Sequence, residues 1–161
     1  MSHKNQRPKQ LKRKFATPWS ELQYVCKRIH YWLHKRESRA TARRYFARLK
    51  CLLEELAGND SAILREEALA LFHELKGETS KAIEHRRREI QLTERLQDSV
   101  RASVDAGEYS ARMAASILAG HNGAVLNERR AILRALQEQA ARSRASTAGG
   151  DQRLHSEGRY R

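Results

Sequence analysis

The sequence predicts an all-α protein, and three observations carry that prediction. Apolar residues recur at three- and four-residue steps along most of residues 18–141, the period of helices with one buried stripe. Only 2 prolines and 8 glycines occur in 161 residues, so little interrupts long helices. Aromatic residues make up 6%, few for an all-β core. The pattern resolves into about six helices in three antiparallel hairpins, over roughly 18–56, 60–104 and 109–141. Hairpins spaced in this way build either a solenoid or a compact helical bundle.

Residues 1–16 have no apolar period and are expected to form a disordered basic arm. The folded domain is expected over 17–141. Thr17 is a cap and Pro18 takes the first helical position, where a missing N–H costs nothing. Leu22, Val25, Cys26, Ile29, Trp32 and Leu33 then form the stripe of the first helix. Arg36 to Arg39 make the turn, with Ser38 as cap. Ala42, Tyr45, Phe46, Leu49, Leu52, Leu53 and Leu56 share one face of the second helix, with Arg39, Arg43 and Lys50 opposite. Gly58 is the expected stop, and Asn59, Asp60 and Ser61 offer caps for the third helix.

The third helix buries Ile63, Leu64, Ala68, Leu71, Phe72 and Leu75 and ends at Gly77. A capped restart at Thr79 or Ser80 opens a fourth helix that can run to Val104, with a break near Gln97 as the alternative. Gly107-Glu108-Tyr109 signals another turn. The fifth helix covers about 109–119 and stops at Gly120. The sixth follows Asn122 and Gly123, with Val125, Leu126, Ile132, Leu133, Leu136 and Ala140 on its stripe. From Arg142 the composition turns to Ser, Thr, Gly and Arg, so 142–161 is expected to be a disordered basic tail.

The step from Gly77 to Ala82, with Leu69 and Ala70 before it, resembles a tetratricopeptide repeat over residues 63–96. His73, Arg86 and Glu89 stand where that family has an aromatic, a large aromatic and a small residue. The resemblance implies a right-handed superhelix whose inner groove takes a peptide or a partner helix. Three hairpins would make a short groove.

The net charge is +13, and it is unevenly spread. Residues 1–14 hold six cations and no acid; 15–56 carry a surplus of five cations; 57–141 are close to neutral; 142–161 carry a surplus of three. This gradient points to a basic end that meets a polyanion. The candidate nucleic-acid-binding residues are Lys9, Lys12, Arg13 and Lys14 on the arm. With them stand Tyr24, Arg28, Tyr31 and Lys35 on the first helix, at i, i+4, i+7 and i+11, and Arg36, Arg39, Arg43, Arg44 and Lys50 after it. Cations neutralise phosphates and tyrosines stack on bases. The competing explanation is a solvated face whose long side chains cover apolar stems. The Arg86-Arg87-Arg88 run has Glu84, Glu89 and Glu94 within helical reach, which predicts ion pairs on a helix surface.

No paired acids, no Ser/His/Asp set and no glycine-rich phosphate loop is present. Cys26, His30 and His34 fall at i, i+4 and i+8, with Cys51 on the next helix. Cys26 belongs to the apolar stripe, however, and the histidine pair lacks the glutamate of a metalloprotease helix. Neither a metal nor a cofactor is expected. No run of 18 apolar residues occurs, so no membrane helix is expected, and the absence of a signal-like apolar segment predicts a cytoplasmic location. The sequence therefore predicts a non-enzymatic adaptor that docks a protein partner within a nucleic-acid-associated complex. The alternative is a direct, largely sequence-nonspecific RNA- or DNA-binding protein using the arm and first hairpin.

Overall fold

The computed structural model describes residues 15–57 and 62–154, with side chains described to Thr147. Seven α-helices and no strand occur among them: α1 Pro18–His30, α2 Arg39–Arg43, α3 Phe46–Glu55, α4 Ala62–Lys76, α5 Thr79–Asp105, α6 Ala111–Ile117 and α7 Gly123–Leu154. The all-α class is as predicted. No helix of the described residues is long and apolar enough to cross a membrane. Lys9, Lys12, Arg13, Lys14, Gly58 and the cap residues Asn59, Asp60 and Ser61 lie outside the described residues.

α1 begins as expected. The Thr17 hydroxyl accepts from the Ser20 N–H at 3.2 Å, and Ser20 Oγ accepts from the Thr17 N–H at 3.2 Å, with Pro18 in the first turn. Its end is unusual. Tyr31–Lys35 continue it as a π-helical turn, closed by Arg36 N–H donating to Tyr31 O at 3.0 Å and Ser38 N–H to Trp32 O at 2.7 Å. Glu37 then takes φ +50°, a left-handed position normally filled by glycine. The second predicted helix is broken into α2 and α3 at Arg44–Tyr45.

α1, α3 and α4 enclose one apolar core of Leu22, Val25, Cys26, Ile29, Leu49, Leu52, Leu71 and Leu75, with Ala42 from α2. Phe46 and Phe72 stack at 5.0 Å beside it. α4 and α5 form the predicted hairpin. Gly77 sits at φ +82° while Glu78 N–H donates to His73 O at 2.9 Å and Gly77 N–H to Glu74 O at 3.1 Å. These two bonds satisfy carbonyls that the helix end would orphan.

Several expectations are corrected. The restart is not capped by Thr79 or Ser80: Glu78 is the cap residue, and its side chain turns to His73, Lys76 and Lys81 instead. α5 is one continuous helix of 27 residues with no break at Gln97. The third hairpin is not a pairing of α6 with α7. α7 instead lies antiparallel along α5, with Ala82 against Ile132 and Leu136, Glu94 paired to Arg130, and Gln97 Nε2 donating to His121 O at 2.6 Å. α6 is a short connector, capped by Ser110, that rests on α5. The expected disordered tail from Arg142 is corrected for residues 142–154, which continue α7. Ala141 and Ala145 favour helix, no proline intervenes, and Ser143 and Thr147 hydroxyls donate to the carbonyls of Gln139 and Ser143 within it.

Candidate functional site

The predicted basic-aromatic stripe is split by the structure into two groups with different work. The first group lies on the α1 flank that faces α3. Arg28 Nε donates to Tyr45 Oη at 3.3 Å, and its guanidinium lies 5.8 Å from the Tyr31 ring centre and 5.7 Å from that of Trp32. Tyr31 and Trp32 meet edge to face at 5.3 Å, and Arg36 lies 5.9 Å from the Tyr31 ring. Tyr24 packs at 5.3 Å against Phe15, where the described chain begins. Arg44 is exposed beside Tyr45 and makes no ion pair among the described residues. Trp32 and Tyr45 were not among the predicted site residues because both fall on apolar stripes; only the packing brings them to Arg28.

The second group is structural. Arg39 Nη2 donates to Glu74 O at 2.8 Å and Leu75 O at 3.0 Å, and Arg43 Nη2 to Leu75 O at 3.4 Å. These carbonyls close the last turn of α4, Glu74 O taking the Gly77 N–H as well, and a cation there also complements the helix dipole. Lys35 pairs with Glu128 at 3.5 Å and Lys50 with Glu54 at 4.0 Å. Arg48 makes a two-pronged contact with Glu21 at 2.5 and 2.6 Å, which lowers the Glu21 pKa. Arg39 and Arg43 therefore do not lie free on a face opposite the core, as the sequence pattern suggested.

A second cluster is larger and more deeply buried than the sequence pattern predicts. Arg86 is fully buried, and its partners are Glu89, one turn on, and Glu74 at 3.9 Å. Of the expected surface ion pairs in this run, Arg88 with Glu84 forms on the surface, while Arg86 with Glu89 is inside. Arg129 of α7 reaches the same place, with Nε 2.9 Å from Glu89 and Nη2 2.5 Å from Glu67. Its Nη1 lies 2.6 Å from His30 Nδ1, and His30 Nε2 lies 3.2 Å from Glu128. These contacts assign the neutral imidazole with its proton on Nε2: Arg129 donates to Nδ1, and Nε2–H donates to Glu128.

Burial, then the charge of Arg129, lowers the His30 pKa to about 4. Burial pushes Glu67 up, against the pull of Arg129. Burial also opposes the charge of Arg86, but Glu89, Glu74 and Glu67 outweigh it and keep it protonated. This cluster welds α1, α4, α5 and α7 together.

Cys26 is buried and its thiol is pushed far up by that burial, so it offers no thiolate. His34 is 3.3 Å from Glu74 rather than near a cysteine ligand set. Among the described residues, no group of three or more His, Cys, Asp or Glu side chains could hold a metal ion.

Compared with protein-family models, curated proteins and solved structures, the chain has no significant match.

Proposed function

We propose that the protein is a non-catalytic helical module that binds nucleic acid through the α1–α3 face and the basic arm. The observation that carries this reading is the fate of the charges. Carboxylates such as Glu67, Glu74, Glu78 and Glu89 are consumed in intramolecular pairs. Lys27, Arg36 and Arg44 around the α1–α3 face, and Arg87 and Arg95 on α5, are exposed without an ion pair among the described residues, against the exposed acids Glu37, Glu55, Asp105 and Glu108. A surplus of this sign neutralises phosphates and releases their counterions. Met113 is the large hydrophobic exposed among the described residues, which leaves little apolar surface for a broad protein interface.

The test is affinity for a generic oligonucleotide as a function of salt. Replacing Lys9, Lys12, Arg13 and Lys14 with Ala, together with Arg36→Ala and Arg44→Ala, should weaken binding and flatten the salt slope by about one per lost phosphate contact. No binding at about 50 mM salt overturns the reading. Arg39 and Arg43 are unsuitable targets, because their loss uncaps α4.

A second reading, a protein-docking adaptor, draws on one separate feature. Val100, Val104, Ala114 and Leu118 line an open groove of about 410 Å³ where α5, α6 and the start of α7 meet. Val104→Asp should abolish capture of a protein partner while leaving oligonucleotide affinity unchanged, and the reverse outcome removes this reading.

A further inference from the structure

We infer that the α1 flank around Tyr31 is a stacking site for unpaired bases, which makes the ligand a single-stranded nucleic acid. This rests on the nucleic-acid reading above and narrows it.

The π-turn is the first reason. In an α-helix the Arg36 N–H would bond to the carbonyl of residue 32. Here it bonds to Tyr31 O at 3.0 Å, and the widened turn sets the Arg36 guanidinium 5.9 Å from the Tyr31 ring. Arg28 lies 5.8 Å from the same ring. One tyrosine thus has two planar cations over its ring, each able to bond phosphate and to stack on a base. Widened turns and left-handed non-glycine residues are both costly, and both gather at functional sites. Here the π-turn and Glu37, at φ +50°, adjoin the same cluster.

The second reason is what holds Arg28. Glu21, the acid of α1, is held by Arg48, so the Arg28 guanidinium is set by a neutral hydroxyl, Tyr45, rather than by a carboxylate. The carboxylate that adjoins the cluster is Glu37, exposed next to Arg36. Trp32 Nε1 is a buried donor with no hydrogen-bond partner. The third reason is a further ring contact on the same flank: Phe15 packs on Tyr24, one turn before Arg28.

Duplex ligands hide their bases in the stack, so half-buried aromatics on a helix flank gain nothing from them. Single strands offer every base face.

The experiment compares a 12-nucleotide oligo(dT) and oligo(rU) with a duplex carrying the same number of phosphates, using the full chain. Tyr31→Leu should weaken both single strands about tenfold, within the range for losing one stacked base, and leave the duplex within about twofold. Tyr31→Phe should retain single-strand affinity. In a Trp19→Phe background, Trp32 fluorescence should change with oligo(dT) or oligo(rU) and not with duplex. This signal decides by itself should Tyr31→Leu fail to fold. Equal loss for single and double strands, or no loss with a silent Trp32, overturns the stacking site while leaving the electrostatic reading intact. Absence of binding to every oligonucleotide overturns both.

Discussion

The α1–α4 unit and the α5–α7 layer are both helical, yet they are held by different forces. In the first, Leu22, Val25, Ile29, Leu49, Leu52, Leu71 and Leu75 make a continuous apolar core. In the second, the corresponding cluster is only Ala82, Ile132 and Leu136, with Ile83 packed against it. Beyond the α4–α5 hairpin itself, the junction between the two is ionic: Arg86 and Arg129 share Glu67, Glu74 and Glu89, with His30 completing the set. Apolar burial is nondirectional and tolerates some repacking. A buried ion pair tolerates little, because removing one partner strands the other charge. The molecule therefore combines a robust half with a layer whose attachment depends on a few side chains.

The sharpest way to break that comparison is Arg86→Ala. It should cost about 3–5 kcal/mol in chemical denaturation, because it removes the buried cation that Glu89 and Glu74 share, leaves Glu89 to Arg129 alone, and opens a cavity. Replacing both Arg86 and Glu89 with Met should recover most of that loss. A double variant no better than the single would show that the charges themselves hold the junction.

The next effect is one of pH. His30 is neutral in the fold, with its pKa lowered to about 4 from 6.5, so between these values the unfolded chain binds the extra proton. Stability should therefore fall as pH drops from about 6.5 to about 4, by roughly 2 kcal/mol once partial solvent access is allowed for. Glu67, with its pKa raised, works in the opposite sense over the pH range just above 4.5. His30→Asn should flatten the profile in the histidine window, and an unchanged slope would remove His30 as its source.

A smaller effect belongs to the apolar half. Arg39→Ala removes two hydrogen bonds to the end of α4 and should cost about 1 kcal/mol in thermal melts. Arg39→Lys should recover only part of it, since a single ammonium lacks the planar fork. The smallest change has the opposite sign. Glu37→Gly relieves a left-handed backbone and should stabilise by about 0.5–1 kcal/mol. If it also lowers oligonucleotide affinity, the strained turn is positioning Arg36.

Local features were the ones legible in the sequence. Thr17-Pro18 opens α1, Gly77 and Gly107 take positive φ at helix ends, and the apolar stripes of α1 and α4 are those buried. Caps, turns and periods are decided within about one turn of chain, so the residues that make them are neighbours in the sequence. Tyr24, Arg28 and Tyr31 were likewise legible as one flank, since helical spacing alone puts them together.

Tertiary structure alone decided the rest. Helical spacing puts Arg86 with Ala82 and Ile90 and leaves Arg87 outside, but it does not say what receives a buried cation there. Glu89 and Glu74 do so, and Arg129 completes the cluster with Glu67 and His30, 62 and 99 positions away. The same holds for Arg39, which looks like a surface cation until the end of α4 arrives 35 positions later to receive it. Charge is read locally as solvent-facing, because burying an unpaired ion is prohibitive. Only the fold supplies the distant partner that removes that cost, and so only the fold determines which cations bind within the chain and which remain for a ligand.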